Sequence, residues 1–175
     1  MLIYNEELSV CPLTTHLPIK QVAQKISVRL ISEKIDIIHS FFKKELKTRA
    51  KIAVTGLNPH CESVSKFNED ERIIPRVIKK KINEGISIKG PYPADTVFLK
   101  NNRKKFNVIV GMYHDQVLTP MKTLFEYDAI NITLGLPFIR ISPDHGPNNK
   151  MIGKKNSNPQ SLYDSINFFR KFNES

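Results

Sequence analysis

The 175-residue chain predicts an α/β fold around a mostly parallel or mixed sheet. Three observations predict it. Short apolar, β-branched runs occupy residues 51–56, 106–112 and 129–135, each with a glycine at or near its end, as buried strands do. Stretches with apolar residues at helical spacing lie between and around them. Forty per cent of the residues are hydrophobic, enough for the core of one domain.

The elements follow in order. Residues 7–13 alternate and stop at the Thr14-Thr15-His16 turn, which reads as a short strand with Pro12 near its end. Residues 18–46 repeat Val22, Ile26, Leu30, Ile35, Ile38, Phe42 and Leu46 at helical spacing, giving one long helix or two. Residues 68–84 place acidic groups early and lysines late, in the sense of the helix dipole. Gly85 reads as the C-cap, and Pro75 puts the start of the helix proper near itself. Residues 86–90 read as a short strand or extended link, and 148–159 as the most loop-like stretch. Residues 161–172 predict a terminal amphipathic helix with Leu162, Ile166, Phe169 and Phe172 on one side.

Several function classes drop out. No run of eighteen apolar residues exists, so no helix spans a membrane. Met1-Leu2-Ile3-Tyr4-Asn5-Glu6-Glu7 lacks the basic and apolar regions of a secretory signal. Cys11 and Cys61 show no metal-knuckle or redox spacing, so a reducing, cytoplasmic setting is expected. The formal net charge of +10 raises the question of nucleic acid or an anionic substrate. The basic runs Lys43-Lys44, Lys79-Lys80-Lys81, Arg103-Lys104-Lys105 and Lys154-Lys155 have no interleaved aromatic platforms. A solvated, lysine-rich face is therefore preferred to a nucleic-acid footprint. Neither a Gly-x-Gly-x-x-Gly fingerprint nor a Walker A loop occurs.

Of the five histidines, His39 falls within the helical pattern and reads as structural or exposed. His16, His60 and His114 each follow a strand-like run. Open α/β sheets bind ligands at the carboxyl ends of their strands, so these three imidazoles could converge there on a divalent metal. Asp95 and Asp115 stand as further ligands, or as neighbours that fix the imidazole tautomers. Taken singly, each histidine also reads as a turn cap. Lys122, Asn131 and Arg140 suit a phosphorylated or carboxylated ligand, with Arg offering a planar fork and Lys a compact charge. Taken singly, each also reads as a surface contact.

Six motifs then occur in order: Thr14-Thr15-His16-Leu17-Pro18, Gly56-Leu57-Asn58-Pro59-His60, Gly90-Pro91-Tyr92-Pro93-Ala94-Asp95-Thr96, Met112-Tyr113-His114-Asp115-Gln116, Asn131-Ile132-Thr133-Leu134-Gly135-Leu136-Pro137-Phe138-Ile139-Arg140, and Asp144-His145-Gly146. Together they resemble the 4-hydroxythreonine-4-phosphate dehydrogenase family of pyridoxal 5'-phosphate (vitamin B6) biosynthesis, over nearly the whole chain. The resemblance implies NAD-dependent oxidation and decarboxylation of 4-phosphohydroxy-L-threonine to 3-amino-2-oxopropyl phosphate. It also implies a three-layer α/β/α fold like that of isocitrate and isopropylmalate dehydrogenases, with two domains and a cleft, in homodimers whose active site lies at the subunit interface. Carried over motif by motif, it implies His16, His60 and His114 as metal ligands, and Lys122, Asn131 and Arg140 as substrate-binding residues. Asp95 would lie close to the metal. The implied cofactors are NAD, with its contacts unassigned, and a divalent metal: zinc, cobalt or magnesium.

Members of that family are close to twice this length. The chain is therefore expected to be the carboxy-terminal half, a single truncated catalytic region over residues 1–175. Its last helix, about 160–175, would belong with the amino-terminal domain. A separately encoded amino-terminal half is an implied partner, and exposed apolar surface is expected. Two stretches depart from the family pattern: residues 61–67 contain no glycine, and Pro147-Asn148-Asn149 follow His145-Gly146. The rival readings are a related dehydrogenase for another phosphorylated hydroxy acid, an inactive fragment, and a basic nucleic-acid-binding protein.

Overall fold

The structure, a computed structural model, describes residues 1–62, 68–146, 149–154 and 157–173. Most of the glycine-free run at 63–67, the Pro147-Asn148 pair, Lys155 and the side chain of Phe172 lie outside the described residues. The seven described strands are β1 (Leu2–Tyr4), β2 (Ser9–Pro12), β3 (Ile52–Thr55), β4 (Ile88–Tyr92), β5 (Val108–Gly111), β6 (Ile130–Thr133) and β7 (Arg140–Pro143). They form one mixed sheet in the order β4-β3-β5-β2-β1-β6-β7.

Strand direction decides where the functional residues go. β4, β3, β5 and β2 are mutually parallel, so all four end at one edge. β1 runs against both β2 and β6, so β6 ends at that same edge. β7 runs against β6 and therefore begins there.

Two apolar layers sandwich the sheet. Within β5, Val108 and Val110 join one layer with Ile31, Ile35 and Ile38, while Ile109 joins the other with Val117 and Met121. That is the period-two alternation of a strand covered on both faces, and it explains why the run is apolar throughout.

The predicted helix at 18–46 divides into α1 (Ile19–Lys25) and α2 (Val28–Lys44). Ser27 caps α2 by accepting a hydrogen bond from the Leu30 N–H at 3.2 Å. An acidic turn, α3 (Glu69–Arg72), precedes α4 (Ile74–Asn83), which starts beside Pro75 and ends at Gly85 with φ +81°. α5 (Ala94–Val97) and α6 (Lys100–Arg103) are single turns between β4 and β5. α7 (His114–Phe125), which the sequence reading did not anticipate, contains Pro120 and buries only Val117 and Met121.

The last helix, α8 (Gln160–Asn173), is where it was expected, but its apolar side does not face the core. Ser161, Ser165 and Phe168 are the buried row, and Leu162, Ile166 and Phe169 are each about half exposed. Ser161 explains the inward turn. Its hydroxyl accepts from the Asp144 N–H at 2.7 Å and donates to the Ala129 carbonyl, tying α8 to β6 and to the end of β7. No helix among the described residues is long and apolar enough to cross a membrane.

Candidate active site

Four neighbouring parallel strands deliver the candidate metal residues to one edge. His16 follows β2, His60 follows β3, His114 follows β5 and Asp95 follows β4. The His16 and His114 rings lie 5.8 Å apart, centre to centre. His16 (φ 50°), His60 (φ 59°) and Cys61 (φ 61°) all adopt the left-handed backbone. Each such residue other than glycine costs about 1–2 kcal/mol, and such residues gather where function over-determines the backbone.

His114 opens α7, and its Nδ1 lies 2.7 Å from Asp115 Oδ1. A proton held between these two atoms leaves Nε2 as the free lone pair, the tautomer a metal needs. Asp95 is exposed on α5. Burial pushes the Cys61 thiol up against an opposing hydrogen bond from the Gly56 backbone, and the charges of Asp70, Asp95 and Glu62 push it further. Cys61 is therefore a protonated, unreactive thiol at neutral pH.

The donor chemistry at this edge suits a divalent metal that favours imidazole. Among the described residues, however, no three His, Cys, Asp or Glu side chains lie close enough together to hold one. His16 and His114 face each other, while His60 shares their edge without completing the set.

The anion-binding candidates divide. Arg140 starts β7 opposite Thr133 and donates from Nη1 to Thr133 Oγ1 at 2.7 Å. Asn131, two residues before Thr133, faces the same side of the sheet as Arg140, because the buried Ile130 and Ile132 take the other side. The Asn131 side-chain oxygen is buried without a hydrogen-bond partner. Lys122 lies farther along α7, eight residues from His114, which is about 12 Å of helix rise. Its ammonium pairs with the Asp144 carboxylate at 2.6 Å and donates to the Asp144 backbone carbonyl. Lys122, Asp144, His145 and Tyr127 line a cavity of about 970 Å³.

Four strand spacings, about 19 Å, separate β5 from β7. Arg140 thus shares an edge with the histidines but not a pocket within one chain.

Residues 1–169 match the model of the family described as pyridoxal phosphate biosynthetic protein PdxA. The chain belongs to the PdxA family. It is 40% identical over 173 residues to 4-hydroxythreonine-4-phosphate dehydrogenase of Xanthobacter autotrophicus, covering 98% of this chain and 49% of that one. The enzyme of the same name from Bradyrhizobium diazoefficiens is 41% identical over 164 residues, covering 93% of this chain and 48% of the relative. Among solved structures, the Klebsiella pneumoniae 4-hydroxythreonine-4-phosphate dehydrogenase superposes with a TM-score of 0.81 at 33% identity, covering 98% of this chain and 53% of that one. The chain thus spans about half the length of the PdxA relatives it matches. Terephthalate 1,2-cis-dihydrodiol dehydrogenase from Burkholderia xenovorans, at 23% identity and TM-score 0.73, shares the fold.

Two polar side chains that bond across this edge are not among the residues the sequence singles out. Gln116 bridges the exits of β3 and β5, and the buried Asp70 is gripped by the turn before His60. Gln116 stands inside a recognised motif and could have been found there. Asp70, in Glu69-Asp70-Glu71, looked like ordinary helix-dipole complementarity.

Proposed function

We propose that the chain is the carboxy-terminal half of a PdxA-type enzyme. This enzyme oxidises 4-phosphohydroxy-L-threonine with NAD and releases carbon dioxide to give 3-amino-2-oxopropyl phosphate, in pyridoxal 5'-phosphate biosynthesis. The observation that supports it best is the topology of the histidines. His16, His60 and His114, the residues the family motifs single out, leave three adjacent parallel strands at one edge. Both free cysteines are in keeping with a cytoplasmic enzyme.

His16, His60 and His114 would hold the divalent metal, zinc or cobalt more readily than magnesium given imidazole donors. When bound, the metal supplies a Lewis acid for the substrate hydroxyl and later the ketone oxygen. The side chains of the chain do the rest. Asp115 holds the His114 tautomer. Arg140 offers its planar fork to a phosphate or carboxylate. The unmet Asn131 oxygen accepts a hydrogen bond from a donor group such as the substrate ammonium. Lys122 exchanges Asp144 for an anionic group of the substrate. NAD, when bound, would supply the hydride acceptor.

Two further contributions complete this reading. A second copy, in a homodimer with a shared active site, supplies the donors that one chain does not gather. The amino-terminal half of the PdxA fold, continuous with this chain or encoded separately, closes the cleft and covers the exposed row of α8 together with the open edge at β7.

The test is the metal content of the purified chain beside His60→Ala and His114→Ala. About one metal per site in the wild type, absent from both variants, is expected. Wild-type protein that stays metal-free even with the amino-terminal half supplied overturns the reading.

A further inference from the structure

We infer that Asp70 and Gln116 are positioning residues that hold the His60 and His114 turns in register along the carboxyl edge of the sheet. The inference rests on the metal role proposed above for those histidines.

The four strand exits are latched to one another by bonds outside the regular ladders. The Gly56 N–H donates to the Tyr92 carbonyl at 2.9 Å, joining β3 to β4. Gln116 joins β3 to β5. Its Oε1 accepts from Thr55 Oγ1 at 2.8 Å and from the Met112 N–H at 2.7 Å, and its Nε2 donates to the Gly56 carbonyl at 2.8 Å. Thr14 Oγ1 donates to the Met112 carbonyl at 2.8 Å, joining β5 to β2. Gln116 is the one side chain in this series that touches the roots of both the His60 and His114 turns.

Asp70 clamps the His60 turn from beneath. It is 1% exposed. Its carboxylate accepts from the Leu57 N–H at 2.5 Å, the Asn58 N–H at 3.0 Å and Asn58 Nδ2 at 2.7 Å. A buried carboxylate that accepts three such hydrogen bonds fixes the backbone and side chain that supply them. Pro59, the left-handed His60 and the left-handed Cys61 follow directly.

Glycines let the frame close. A Cβ at Gly56 would lie 2.7 Å from Asp70 Oδ1 and 2.8 Å from Cys61 Sγ. A Cβ at Gly111 would collide with Val117 and come within 3.1 Å of Gln116 Oε1. The ends of β3 and β5 are thus shaped around these two polar side chains. Fold stabilisation alone is the competing account, and it predicts a different pattern of effects.

The experiment compares Asp70→Asn, Gln116→Ala and the control Lys81→Met in the full chain. Lys81 is a buried ion-pair residue between α2 and α4 that bonds to neither turn. In metal-free protein, amide exchange and imidazole resonances are followed by NMR. Asp70→Asn is expected to speed exchange at least about tenfold at Leu57 and Asn58 and to shift the His60 ring signals. Gln116→Ala is expected to do the same at Met112 and to move the signals of both His60 and His114. Lys81→Met should lower the melting temperature with no selective change at these sites. In Co²⁺ titrations, Asp70→Asn and Gln116→Ala should weaken binding about 10- to 100-fold, and Lys81→Met should leave it unchanged.

Wild-type ring signals and protection in both variants overturn the inference. So does exchange that rises evenly across the chain, as for the control. If the wild type takes up no Co²⁺, the metal reading fails while the NMR comparison still decides the positioning role. Should Asp70→Asn not fold, Asn58→Ala removes one donor and keeps the carboxylate, and a smaller increase of the same kind is expected.

Discussion

The sheet has two halves built on different principles. In the parallel half, β2, β3 and β5 are buried along their whole length, helices cover both faces, and the strand exits are latched side to side. In the antiparallel half, β6 alternates buried and half-buried positions, β7 is half exposed and ends the sheet, and α8 turns an apolar row to solvent. The same chain thus contains a latched region and a more exposed one. The proposed metal ligands sit on the latched region. Arg140, Asn131 and the exposed row of α8 belong to the other. In the enzyme proposed above, the first region would carry the metal and the second would be the one completed by contact.

The comparison is sharpened most by cutting into each half equally. Ile109→Ala removes a fully buried side chain from β5 and should cost about 2–5 kcal/mol in urea denaturation. Ile141→Ala on β7, only partly buried, should cost about 1 kcal/mol or less. Equal losses would break the distinction.

A smaller effect belongs to the Lys81 cluster. Asp36→Ala removes one of the two carboxylates bonded to Lys81 and should cost about 1 kcal/mol, a modest figure because Asp36 is half exposed. The cluster also sets a pH window. Burial lowers the Lys81 pKa, but its bonds to Asp36 and Glu84 outweigh that and raise it from 10.5. Its contribution is complete below 10.5 and is lost as pH rises through the raised folded value. The bond from Lys81 depresses Glu84 from 4.5, so its contribution is present above 4.5 and is lost as pH falls through the lowered value. Thermal melts should therefore plateau between these limits and decline outside them, and Lys81→Met should flatten both shoulders.

The smallest expected change in stability is at α8. Leu162→Ser with Ile166→Ser should alter unfolding by no more than about 0.5 kcal/mol per site, since neither joins the core. The same pair should reduce self-association in size-exclusion chromatography. A large loss of stability would show that the row is packed after all.

How much of this was legible beforehand follows from the kind of signal each region emits. β3, β5 and β6 announced themselves as short apolar runs, and α4 by Pro75 and Gly85 at its ends. β1 has only three residues, too few to show alternation, and β7 is a polar edge whose identity comes from pairing with β6. α7 was hidden by Pro120 and by a polar exterior, with just Val117 and Met121 to mark its core side.

At the site, the histidines were readable because a strand exit is a local pattern. The bond between Asp70 and the Leu57-Asn58 turn was not, because a masking acidic cluster surrounds Asp70 and its partners are a dozen residues away. Lys122 was legible as a cation, but its engagement by Asp144 depends on where β7 ends.

The inverted helix α8 has a consequence for how this sequence can change over time. Leu162, Ile166 and Phe169 contribute little to the core, so polar replacements there would cost the isolated chain almost nothing and would make it more soluble. A polypeptide answerable only to its own folding would drift toward such replacements. In the assembly proposed above, a covering partner would be what favours these three apolar side chains, and the first substitutions expected to accumulate if it were lost are the ones that turn this row hydrophilic.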